Sequence, residues 1–113
     1  MKSAMRYFIR IGQRQGTCYH EFFAGKWDGK TFWDEDSVLI HDDLLSEGFV
    51  RALLQAAPGW SAFGVSEISR EQWEKIGTLI GNEDETAREI YQEADEWAQG
   101  VFAKADRFTI LGI

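Results

Sequence analysis

Cysteine and proline are scarce: Cys18 and Pro58 are the only ones among 113 residues. A single cysteine excludes an intramolecular disulfide, and it excludes zinc sites built on two to four thiolates. A lone thiol fits a reducing, cytoplasmic compartment. No apolar run approaches the ~20 residues of a membrane-spanning helix. Met1–Ile11 carries Lys2, Arg6 and Arg10 without the long apolar stretch of a secretory signal. Met5 offers a second start position, which leaves Met1–Ala4 as an added stretch. The chain also lacks a Gly-rich phosphate loop, a G-x-S-x-G elbow and an H-E-x-x-H pair, which moves the expectation from an enzyme toward a binding protein. There is no linker, low-complexity tract or internal repeat, so residues 1–113 read as one domain with no cofactor.

What the chain does have is apolar bulk and acid. Hydrophobic residues make up 44%, with five Trp and eight Phe, enough for one core. The net charge is −7. Residues 1–33 hold six Lys/Arg against two acids, net +4, whereas residues 34–113 hold six against seventeen, net −11. That balance argues against gripping nucleic acid through its phosphates. It favours a basic protein partner, because complementary fields speed encounter. The plainer alternative is that the acidity serves solubility.

Alternating β-formers predict strands over residues 6–12 and 17–27. Asp28-Gly29 supplies a two-residue hairpin turn, with a third strand returning over residues 30–33. Asp34–Asp36 interrupts it, and Val38–Ile40 is either a continued strand or a helix entry. A first helix is expected from Asp42 or Asp43, with Leu45, Phe49, Ala52, Leu53 and Ala56 on its apolar face and Pro58-Gly59 at its end. Residues 60–67 read as a strand with Phe63 and Val65 alternating. Ser69 with Gln72 forms a capping box, and Ile68 with Trp73 a hydrophobic staple, opening a second helix that stops at Gly81. Asn82, with Glu85 three residues on, caps a third. Its stripe is Ala87, Ile90, Tyr91, Ala94, Trp97, Ala98, Val101 and Phe102. Residues 107–113 form a last strand tucked into the sheet. The result is an α+β fold, β-β-β-α-β-α-α-β, with a mostly antiparallel sheet of about five strands and three helices on one face.

Three groups could carry chemistry. His41-Asp42-Asp43 with Asp34-Glu35-Asp36 has oxygen ligands suited to a hard cation, but the spacing matches no calcium loop. Helix capping and a solvated acidic loop are the favoured reading there, and no metal is expected. Cys18 and His20 share a strand face, yet nothing supplies the orienting group and oxyanion site of a nucleophilic pair. A buried Cys and a half-exposed His are expected instead. The Trp27–Trp33 segment places aromatics on both sides of a turn, either as cross-strand packing or as a protruding anchor.

The segment Trp60–Ile76, W-S-A-F-G-V-S-E-I-S-R-E-Q-W-E-K-I, resembles small acidic bacterial immunity proteins of polymorphic toxin and contact-dependent inhibition systems. The resemblance implies a cytosolic, Trp-rich α+β domain that binds a cognate toxin, often a basic nuclease, and blocks its active site or substrate surface. No site residue carries over from it. Two acidic surfaces are the expected docking residues. One is Asp34, Glu35 and Asp36 with Asp42 and Asp43; the other is Glu85, Glu89, Glu93 and Glu96 on the third helix. The alternatives are a phage-type inhibitor such as an anti-CRISPR or DNA mimic, and a small enzyme using Cys18/His20 or the His41 acidic loop.

Overall fold

The computed structural model describes residues 5–61, 63–81 and 84–112. In chain order the elements are β1 (Phe8–Ile9), β2 (Tyr19–Ala24), β3 (Val38–His41), α1 (Glu47–Ala56), β4 (Val65–Ser69), α2 (Arg70–Ile80), α3 (Glu85–Phe102) and β5 (Arg107–Leu111). The strands form one sheet, β1-β3-β2-β5-β4, antiparallel at every pairing. The α+β class and the expected β-β-β-α-β-α-α-β sequence are found. The third strand, however, is Val38–His41, and residues 30–33 are not a strand.

Strand alternation explains the core. Register places Phe8, His20, Phe22, Val38, Ile40, Ser66, Ile68, Phe108 and Ile110 on one face. The helices cover this face with Phe49, Leu53, Trp73, Ile76, Ile90, Ala94 and Ala98. Phe108 is the hub: its ring lies 5.6 Å from Phe22 in a stack and 5.3 Å edge-on from both Trp73 and Trp97. Tyr91 stacks on Trp73 at 4.4 Å and donates its hydroxyl to the Trp73 carbonyl. Burial pushes that phenol up to about 12, so it remains a donor at neutral pH. The terminal strand is internal, since β5 lies between β2 and β4.

The middle of the opposite sheet face is also covered, against the one-sided layering that the sequence predicts, while Val65 and Glu67 at its β4 edge stay exposed. Glu21, Leu39, Thr109 and Leu111 point away from the helices, yet none exceeds 2% exposure. The connection between β2 and β3, residues 25–37, lies across them. Thr109 Oγ1 donates to the Gly25 carbonyl at 2.8 Å, and Ser37 Oγ donates to Glu21 Oε2 at 2.6 Å. Asp28 does not make a strand hairpin. Its carboxylate accepts from the Lys30 and Thr31 amides and the Thr31 hydroxyl, with Gly29 at φ 84°. Those bonds, the Thr31 hydroxyl foremost, lower the Asp28 carboxyl to about 2. Trp27 closes the turn by donating to the Thr31 carbonyl and packing on Phe32 at 5.3 Å.

Helix starts follow local hydrogen-bond competition. The capping box at α2 forms in both directions, with Gln72 N to Ser69 Oγ at 3.1 Å and Ser69 N to Gln72 Oε1 at 2.9 Å. Asp42 and Asp43 do not begin α1. They make a 3-10 turn, Asp42–Leu44, because Asp42 is drawn to His20 and the Asp43 amide donates to His41 Nδ1. Ser46 caps α1 instead, through Phe49 N. Asp84 caps α3 through Ala87 N; the expected cap, Asn82, lies outside the described residues. The β4 strand begins at Val65, later than expected. Ile68 is turned inward into the core, and that parity throws Val65 outward at 52% exposure, while Phe63, in the turn before the strand, is 79% exposed.

Candidate docking face

The site is organised by one buried carboxylate. Glu21 sits mid-strand in β2 at 2% exposure, on the face away from the helices. Its Oε1 accepts from Trp33 N at 2.7 Å, and its Oε2 accepts from Asp34 N at 2.9 Å and from Ser37 Oγ. Three donors from one loop thus converge on one charge, which makes the burial tolerable. They also fix the loop's backbone. Trp33 has φ 60°, the only non-glycine residue in the left-handed region among those described. That conformation costs an L-residue with a bulky side chain roughly 1–2 kcal/mol and persists where the surroundings over-determine it. Here the surroundings are the Glu21 carboxylate.

The held segment presents rings and acids together. Tyr19 lies edge-on to Trp33 at 6.5 Å and to His41 at 5.2 Å, so the two acidic stretches meet around one aromatic. The Arg14 guanidinium sits over the Trp33 ring, 4.3 Å from its centroid. Asp34 Oδ2 accepts from Asp36 N at 3.0 Å. Glu35, Asp36, Asp42 and Asp43 are exposed, and the Asp43 carboxylate lies 3.7 Å from His41 Nδ1. The loop is then pinned to the far side of the fold. The Asp36 carbonyl accepts from Trp97 Nε1 of α3 at 2.8 Å and from Arg10 at 3.2 Å. Asp36, Glu96, Trp97, Arg10 and Lys104 line a hollow of about 490 Å³ there.

The expected docking residues on α3 divide into two kinds. Glu93 is a clamp: it accepts from Arg6 N, Tyr7 N and Phe8 N at 2.9, 2.8 and 2.7 Å. Glu89 takes the Tyr7 hydroxyl at 2.6 Å and Arg6 at 3.5 Å. That hydrogen bond to Glu89 raises the Tyr7 pKa. Glu85, in the first turn, and Glu96 are exposed. The basic start of the chain therefore folds onto the acidic helix, and the charge asymmetry along the sequence is partly cancelled in space. Asp42 is likewise engaged, 2.7 Å from His20 Nε2.

Cys18 and His20 exchange their expected places: Cys18 is exposed and His20 is buried. His20 shares the parity of Phe22 and points into the core, whereas Cys18 lies before β2 begins. Among the described residues no cluster of three His, Cys, Asp or Glu could hold a metal, and no helix is long and apolar enough to cross a membrane. Scans against protein-family models, curated proteins and solved structures return no match to this chain.

The sequence points to Trp33 only as part of an aromatic hairpin that packs across strands or protrudes as an anchor, and it does not single out Glu21 or Arg14. A lone carboxylate within Tyr-His-Glu-Phe-Phe was the available signal for Glu21, since a charge on a buried strand implies partners. Nothing local announces the Trp33 backbone or the Arg14 contact, both of which depend on the loop's path.

Proposed function

We propose that this chain is an immunity-type protein that binds a basic toxin domain and neutralises it by covering its active site or substrate surface. The observation that carries this reading is the Glu21-held segment Trp33–Asp36, a fixed backbone that presents a Trp ring beside exposed carboxylates. Aromatic anchors within a charged rim are what protein interfaces use for affinity and for steering. Glu35, Asp36 and Asp43 form the outward charge of the face, Glu96 joins it at the hollow it shares with Asp36, and Glu85 is an exposed acid in the first turn of α3. Glu93, Glu89 and Asp42 support the scaffold.

The test is co-purification with the product of the adjacent gene, followed by association kinetics at two salt concentrations. A complex is expected whose association rate falls roughly tenfold or more from low to high salt. The double variant E35K/D43K should slow association at low salt while leaving the fold intact. No complex, or rates indifferent to salt and to E35K/D43K, contradict the reading.

A further inference from the structure

We infer that one face of the half-buried Trp33 ring is a seat for an arginine guanidinium, filled by the chain's own Arg14 in the free protein and given over to an arginine of the partner on binding. The partner's being a basic protein rests on the function proposed above; the seat itself stands on its own geometry.

The seat is made of parts already fixed. The Trp33 ring is aimed by a left-handed backbone that Glu21 holds from beneath, so it does not depend on Arg14 for its position. A guanidinium already lies on it at 4.3 Å, showing that the surface accepts a flat cation. The Asp34 carboxyl is on the next residue, and His41 with Asp43 lies across Tyr19, so the surroundings favour positive charge.

Arg14, by contrast, is lightly held. Besides the ring contact, its guanidinium donates to the Gly16 carbonyl two residues on, and among the described residues it pairs with no carboxylate. It belongs to a stretch in which Gln13 and residues 15–18 are exposed and Gly16 turns at φ 85°, between a 3-10 turn and β2. Arg14 is half-buried, and the neighbouring Gln15 amide donates to the Tyr19 hydroxyl at 3.2 Å, so it is the Arg14 side chain alone that swings aside while its backbone stays tethered. A partner arginine would meet the same ring and would add a reach to Asp34 or Asp43. A guanidinium suits this seat better than an ammonium, because a planar group stacks on the indole and a compact, strongly hydrated one does not.

Capped triarginine and trilysine peptides titrated into labelled protein at low salt test the seat without any toxin. The Trp33 indole N–H and the Arg14 side-chain N–H resonances are followed by NMR. In the unaltered protein, triarginine should shift Trp33 and move Arg14 toward its free-peptide position. R14A should bind triarginine at least about fivefold more tightly than wild type, and trilysine more weakly than triarginine, since the internal competitor is gone. R14A/W33L should lose the preference for arginine. If R14A perturbs the whole spectrum, R14K replaces it, with an intermediate gain expected. Equal affinity of R14A and wild type overturns the proposal, as does equal binding of the two peptides or a shift map that spares Trp33. Such a result leaves toxin binding through the carboxylates standing, and failure to find a toxin leaves the titration unaffected.

Discussion

Replacing Glu21 with alanine is expected to remove about 3–5 kcal/mol of folding stability, the upper range for one substitution that breaks a buried hydrogen-bond network. Three donors lose their acceptor at once: the Trp33 and Asp34 amides and the Ser37 hydroxyl. Each buried donor left unmet costs about 1–3 kcal/mol, which relaxation of the loop to solvent will partly recover. Loop relaxation has its own penalty, because residues 25–37 also shield Leu39 and Leu111. Glu21→Gln should lose less, about 2–3 kcal/mol, since one oxygen survives but the amide NH₂ then faces donors. Urea unfolding followed by tryptophan fluorescence reads both values. A loss under about 1 kcal/mol for Glu21→Ala would show that the loop is held by its other contacts, such as Trp97 to Asp36.

The second large effect belongs to Glu93. Glu93→Ala is expected to cost about 2–4 kcal/mol, from three charge-assisted bonds to backbone at a half-buried site. The loss should be local in character. β1 is a two-residue edge strand paired only with β3, so the Glu93 clamp supplies much of its attachment. Amide hydrogen exchange should therefore show Tyr7 and Phe8 losing protection well before β2 or β5 does. Uniform loss of protection across the sheet would mean that β1 is held by Phe8 packing and that Glu93 is incidental. Glu93→Lys should be worse than Glu93→Ala, because it opposes a cation to three N–H donors.

These two residues show how far the sequence could be read. The second and third helices were legible because their information is local. Ser69 and Gln72 satisfy each other within one turn, and the Ala87-to-Phe102 stripe repeats at helical spacing. The last strand was legible for the same reason. The third strand was misplaced because the Lys30–Trp33 pattern looks extended, while its backbone is governed by Asp28 from one side and Glu21 from the other. The second of those contacts spans twelve residues. Asp42 reads as a helix cap in the sequence because the choice between capping and reaching His20 is made by tertiary packing. On the site, the acids themselves were visible in composition, but their division into clamps and outward charge was not. Glu93 and Glu96 are three residues apart on one helix. One is consumed by the backbone of β1, far away in sequence, and the other lines an open hollow. No local pattern distinguishes them.

The acidic, Trp-bearing loop is a rigid platform held from within by Glu21. Native-state amide exchange of the unaltered protein tests this most directly. The Trp33 and Asp34 amides should be protected to nearly the same degree as the hydrogen-bonded amides of β2, while Glu35, just beyond them, exchanges quickly. Exchange of Trp33 and Asp34 at the rate of their exposed neighbour would contradict the account.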